Sequence, residues 1–248
     1  MKFRNGSFKA KSYIISGYFI LWVVLFEFIF PVNKILPKPS VVLLSLPDLF
    51  KVYHLGESIL SSVSSVYLPL AFAWIVLWIC KNILVGNNNY FTHFFNSFQW
   101  FSKYVPGIIL SLLIVYWFPH TEYMKYIFIF LISFASLVMK LRETANSAPV
   151  EYIYSAMSLG YKNVKQIKWK HSEPELAEHS VNLHLYLWSM LLIFEYIKGG
   201  FGLGSVYRTA LMFNDISGLF TSIIITGVIV WLGGMLLNFY RQKYFFWK

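Results

Sequence analysis

From Ser58 to Cys80, and again from Ser217 to Tyr240, the chain carries no charged residue. A helix crosses the hydrocarbon core of a bilayer with about 20 mostly apolar residues, and both stretches exceed that length. The remainder is consistent with them: 57% of the chain is hydrophobic, 20% aromatic and 13% charged, where soluble domains carry roughly a quarter charged residues. The expected fold class is an all-α integral membrane protein with no room for a separate soluble domain.

About six transmembrane helices are expected: Tyr13 to Val32, Ile59 to Cys80, Val105 to Phe118, Tyr126 to Met139, Leu183 to Ile197 and Leu219 to Tyr240. They form a single transmembrane domain over residues 1–248. The first run is long and is followed by no small-residue cleavage pattern, so it reads as a retained span. Spans three to five are shorter and bounded by Pro, His, Lys or Glu, as expected of helices packed inside a bundle. Between the first two spans, Pro37, Pro39 and Pro47 predict an extended turn followed by a short interfacial helix.

Orientation follows from the basic residues. With the N-terminus inside, fifteen of twenty-one fall on one side: Lys2, Arg4, Lys9, Lys11, Lys81, Lys103, Lys140, Arg142, Lys162, Lys165, Lys168, Lys170, Arg241, Lys243 and Lys248. The other side receives Lys34, Lys38, Lys51, Lys125, Lys198 and Arg208. The positive-inside rule then puts both termini, residues 1–12 and 241–248, in the cytoplasm. The net charge of +10 is read as topology and contact with anionic lipid in the bilayer, with no nucleic acid partner expected.

Several chemistries are missing. There is no G-x-x-x-x-G-K-[ST] loop to cradle nucleotide phosphates, so an ATP-driven step needs another subunit. No H-E-x-x-H or G-x-S-x-G motif is present. Cys80 is the single cysteine, which excludes an internal disulfide. The histidines His54, His93, His120, His171, His179 and His184 mostly fall in predicted loops or at span ends, and His179 and His184 are five apart, off the i, i+4 spacing of two ligands on one helix face. No catalytic or metal site is expected. Glu27 and Glu195 stand inside apolar runs, where a carboxylate is costly and functional by default. For Glu195 the structural alternative has a partner three residues on, Lys198; the functional one is a pathway or gate role.

The stretch from Glu151 to Ser180 interrupts all this with a polar, basic segment. Pro149 and Glu151 suit a helix N-terminus. Ile153, Ala156 and Leu159 give that helix an apolar edge, and Gly160 supplies its stop. Val164, Ile167 and Trp169, interleaved with lysines, predict a second, basic amphipathic helix ending at Pro174. The pattern fits a basic hairpin lying on anionic lipid or a docking element for a cytoplasmic partner equally well.

This segment resembles the cytoplasmic "EAA" loop of bacterial binding-protein-dependent ABC transporter permeases, in particular the nitrate, sulfonate and taurine group. The matching residues are Pro149, Glu151, Ala156, Ser158, Leu159 and Gly160. Leu36 to Leu46 resembles the Leu-Pro-x-Pro-Ser segment of that group, Val105 to Phe118 its third span from Pro106, and Glu195 with Gly202, Leu203 and Gly204 the acid and glycine run closing the fifth. The chain departs from the pattern at Tyr154, where the family carries the Glu of Glu-Ala-Ala, at Ser172-Glu173 in place of Leu-Pro, and at Ser65 and Pro69.

The resemblance implies a type I ABC importer permease fold in the bacterial plasma (inner) membrane, with cytoplasmic coupling helices in a loop of about residues 141–181. It implies an ABC ATPase subunit, a second permease copy or a related chain, and an external solute-binding protein as partners. It implies no cofactor in this chain, with ATP and Mg in the partner ATPase, and no enzymatic step here. By the same resemblance, Glu151, Ala156, Ser158, Leu159, Gly160, Tyr161, Lys162 and Val164 couple to the ATPase, with Leu159 and Tyr161 as anchors. Gly202, Leu203 and Gly204 shape the mouth where a binding protein docks. Two alternatives remain on the residues alone: an ion-coupled secondary transporter using Glu195, and a noncatalytic membrane scaffold.

Overall fold

The protein is described from a computed structural model, which covers residues 4–30, 36–86, 97, 107–119, 121 and 123–245. Every regular element among them is helical. Helix α1 spans Arg4–Val23 and runs on into a π-helical turn, Val24–Ile29; α2 is Pro39–Leu44, α3 Leu46–Lys51, α4 Leu55–Leu84 and α5 Gly107–Trp117. Then come α6, Met124–Asn146; α7, Val150–Ser158; α8, Val164–Lys198; α9, Leu203–Met212; and α10, Ile216–Tyr244. Of these α4, α6, α8 and α10 are long and apolar enough to cross a membrane, and Ser16–Ile29 and α5 are shorter apolar helices. These six match the predicted spans in order, as expected for a multi-pass membrane protein. Val105 and Pro106, with which the third predicted span begins, lie outside the described residues, as do Lys2, Lys34, Lys103, Lys248, His93 and His120.

Two compact units divide the chain, Met1–Gly56 with Val206–Thr226, and Glu57–Ser205 with Gly227–Lys248. In the first, the Glu27 carboxylate accepts hydrogen bonds from Ser40 Oγ at 2.9 Å and Ser40 N–H at 3.4 Å, at the positive end of α2. The expected single interfacial helix is instead two six-residue helices. Pro47 explains the division: it has no N–H to continue the α2 ladder, yet it is tolerated in the first turn of α3. Asp215 caps α10, accepting from Gly218 N–H at 2.8 Å and Ser217 Oγ at 2.9 Å, and Tyr53 Oη donates to it at 3.0 Å. Burial raises the Asp215 carboxyl, but these bonds outweigh it and hold the group below its ordinary value.

The core of the second unit is built on α4, α6 and α8. Leu176, Leu183, Leu187, Leu191 and Phe194 recur at helical spacing along one buried stripe of α8. They meet Phe128, Leu137 and Leu141 of α6, with the Phe128 and Phe194 rings stacked at 5.2 Å. On α4 the buried stripe begins with Ser58, Ser62, Ser65 and Val66 and continues through Leu70, Ala73 and Leu77; side chains as small as the serines let helix backbones approach closely in a membrane.

The predicted stop at Pro174 does not occur: α8 is one helix of 35 residues from Val164 to Lys198. A proline inside a helix loses one hydrogen bond and crowds the preceding turn, a cost of about 3 kcal/mol. Here that turn is tied by side chains, because Glu173 accepts from Trp169 Nε1 at 2.6 Å and Lys170 Nζ at 2.9 Å. Burial continues on both sides of the proline, through Ile167, Trp169 and Ser172 before it and Leu176, Ala177 and Ser180 after it. Packing therefore carries the helix through.

Candidate functional site

At the Val164 end of α8 lies α7. Pro149 precedes it in an extended conformation (φ −60°, ψ 140°), and Glu151 sits in its first turn. It ends in a glycine lock: Gly160 adopts φ +98°, its N–H donates to Met157 O at 3.0 Å, and Tyr161 N–H donates to Ala156 O at 3.2 Å. This pair of bonds is the Schellman arrangement, which needs a left-handed residue at the glycine position. A Cβ on Gly160 would meet nothing within 4 Å, so the constraint there is conformational rather than steric. Asn163 Oδ1 then caps α8 by accepting Lys165 N–H at 3.0 Å. The sequence thus foresees helix, glycine turn and second helix correctly.

Helix α7 rests lightly on α8. The Tyr152 and His171 rings meet at 5.2 Å, and a cleft of about 280 Å³ opens between Ala156, Leu159 and Tyr161 on one side and Ile167 and Lys170 on the other. None of the residues of α7 is buried. Of the eight residues singled out here, Ala156 is half-buried, while Glu151, Ser158, Leu159, Gly160, Tyr161, Lys162 and Val164 are exposed. Leu159 is 82% exposed, and Val150, Tyr154, Met157 and Tyr161 are exposed large apolar side chains beside it. The nine-residue helix therefore carries an exposed apolar patch at Val150, Tyr154 and Met157, with Ile153 and Ala156 half-buried.

At the opposite end of α8 a buried charge cluster closes the turn into α9. Glu195, 2% exposed, pairs with Lys125 of α6 at 3.5 Å. It also accepts Ser62 Oγ at 2.8 and 2.9 Å and Gly204 N–H at 3.1 Å. Ser62 Oγ in turn accepts Leu203 N–H at 2.9 Å, so two N–H groups of the first turn of α9 are satisfied by this cluster. Lys125 Nζ donates to Phe201 O at 3.0 Å and to Ser61 Oγ. Beside the cluster lies a polar cavity of about 210 Å³ lined by Pro119, Lys125, Glu195, Lys198 and Phe201.

Glycine is required at two positions here. A Cβ on Gly202, where φ is +149°, would collide with the Glu195 carboxylate, and one on Gly204 would collide with Leu192 O and lie 2.7 Å from Tyr196 N. Gly202, Leu203 and Gly204 are all buried; the exposed tip of the turn is Gly200 and Phe201.

The ion-pair partner differs from the one read in the sequence. Lys198 Nζ donates to Thr121 O at 2.6 Å, whereas Glu195 turns into the helix interface and takes Lys125, 70 residues away in sequence. A buried carboxylate requires a buried counter-charge with further hydrogen bonds, and Lys125, itself buried and bonded to Phe201 O, meets that requirement where the half-buried Lys198 does not. Lys125, Ser61 and Ser62 are members of this cluster that the sequence did not single out. For Ser62 alone there was a signal, its helical spacing with Ser58 and Ser65 on α4. Among the described residues no group of three or more His, Cys, Asp or Glu could hold a metal ion. His184, fully buried and stacked on Tyr67 at 5.9 Å, has no hydrogen-bond partner on either ring nitrogen among the described residues.

Over residues 78–243, about two-thirds of the chain, the sequence matches the family described as binding-protein-dependent transport system inner membrane component. No match is found among curated proteins. The matched region contains α7, the Gly160 turn, all of α8 and, from the charge cluster, Lys125, Glu195 and Gly204, while Ser61 and Ser62 precede it. On the strength of that match the chain belongs to the binding-protein-dependent transport system inner membrane components, permease subunits of ABC transporters with the type I fold.

Proposed function

We propose that this permease subunit forms the translocation pathway of an ATP-driven importer for a small solute delivered by an external binding protein. Residues 1–248 act as a single permease domain in the plasma (inner) membrane, with both termini cytoplasmic. It pairs with a second copy or a related chain. ATP and Mg belong to the partner ATPase, and no cofactor is held here. The nitrate, sulfonate and taurine group is the proposed branch, on the motifs from Leu36 to Gly204.

The observation that carries this reading is α7, with its exposed apolar side chains and its glycine lock. In the proposed cycle Leu159 and Tyr161 anchor in a groove of the ATPase, and Glu151, Ala156, Ser158, Lys162 and Val164 surround them. Closure of the ATPase pair moves α7, and Gly160 passes that movement to α8. At the other end Glu195 and Lys125 hold the gate turn. Gly202, Leu203 and Gly204 fix its shape, so that Phe201 meets the binding protein.

Copurification of an ABC ATPase with the full chain in mild detergent tests the reading. Wild-type permease is expected to retain the ATPase. Leu159→Ala should weaken that complex by about 2 kcal/mol, roughly thirty-fold, as for a central anchor. Retention of the ATPase at wild-type level by Leu159→Ala would remove α7 from the coupling role.

A further inference from the structure

The charge around α7 is one-sided. Between Glu143 and Glu173 the single acidic residue is Glu151, in the first turn of α7, because Tyr154 is neutral. Four lysines follow the Gly160 turn: Lys162, Lys165, Lys168 and Lys170. Lys170 is neutralised by Glu173 at 2.9 Å. The Lys165 ammonium lies close to Gly86, just beyond the end of α4, 3.1 Å from where a Cβ there would sit. Among the described residues neither Lys162 nor Lys168, nor Lys165, forms an ion pair, although carboxylates elsewhere on α6 and α8 are used: Glu143 and Glu175 by Lys140, and Glu178 by Arg241. Lys162 is exposed and Lys168 half-buried. The contact surface therefore pairs an apolar centre at Leu159 with an uncompensated positive edge on its Gly160 side.

We infer that the surface receiving α7 is an apolar groove with an acidic rim, the rim facing Lys162 and Lys168. This rests on the docking role of α7 proposed above and adds the chemistry of the partner. A groove with a basic rim would bring like charges together at the edge of a desolvated contact, which disfavours such partners. An acidic rim steers the ATPase toward the permease and selects it among related ATPases. The lysines supply orientation and partner choice; Leu159 supplies affinity.

The test uses the full permease in nanodiscs of phosphatidylcholine, titrated with the ABC ATPase that copurifies with it, at salt concentrations of about 50 to 300 mM, across which screening lengths change substantially. Wild-type binding should weaken as salt rises. Lys162→Glu combined with Lys168→Glu should lower affinity tenfold or more and flatten that salt dependence, while the milder Lys162→Gln with Lys168→Gln should give an intermediate loss with the helical content unchanged. If Leu159→Ala weakens binding and both lysine pairs change it less than twofold, docking through α7 stands and the acidic rim is wrong. If neither Leu159→Ala nor the lysine pairs has an effect, α7 is not the docking element and both readings fall. If the loss appears only in discs containing phosphatidylglycerol, the lysines serve the membrane surface, and the inference is overturned.

Discussion

Glu195 and Gly160 illustrate what a single residue contributes here. Gly160 was legible from sequence because its role is local: a left-handed residue ends α7, and glycine is the residue that adopts φ +98° without strain. Glu195 was legible as unusual, but its partner was not, since nothing in a linear reading joins it to a lysine 70 positions earlier. Three groups depend on that carboxylate: the Lys125 ammonium, the Ser62 hydroxyl and the Gly204 N–H. Glu195→Ala should therefore cost about 3–5 kcal/mol, because it leaves a buried charge unpaired. Glu195→Gln with Lys125→Met, which removes both charges, should cost clearly less than the sum of the single changes. Denaturant or thermal midpoints in detergent give the comparison, and additive effects would show that the pair is not coupled.

Among elements, α8 and α10 show where local rules yield to packing. The rule that proline stops a helix fails at Pro174 because Glu173, held by Trp169 and Lys170, and buried side chains on both sides carry α8 through. Likewise Ser58, Ser62 and Ser65 fall in a run of α4 of which the sequence shows only the spanning length, yet all three are buried. In α10 two glycines look equivalent and are not. A Cβ on Gly233 would collide with Tyr67 Oη and come within 3.1 Å of His184 Nε2, whereas one on Gly227 would meet nothing within 4 Å. Gly233→Ala should destabilise by about 1–3 kcal/mol through overpacking. Gly227→Ala should be neutral or stabilising by up to about 1 kcal/mol through helix propensity. Thermal midpoints of the two variants in the same detergent separate them; equal effects would mean that the Tyr67 and His184 side chains yield without cost.

For the whole molecule the six helical segments and their order were legible, because uninterrupted apolar length is the dominant signal in a membrane chain. The tertiary pairing was not, since it depends on which small and polar residues meet. The 35 residues of α8 rise roughly 50 Å, against a hydrocarbon core of about 30 Å. One helix thus separates the α7 contact surface from the Phe201 turn by more than a bilayer's thickness. Coupling through α7 requires these two ends to lie on opposite sides of the membrane, with α7 in the cytoplasm. Labelling of intact cells with a membrane-impermeant maleimide tests this most directly, using Leu159→Cys or Phe201→Cys in a Cys80→Ser background, where the single native cysteine is gone. Phe201→Cys should be labelled from outside and Leu159→Cys only after permeabilisation. Labelling of Leu159→Cys in intact cells would contradict the account, because a helix facing away from the cytoplasm cannot receive a cytoplasmic ATPase.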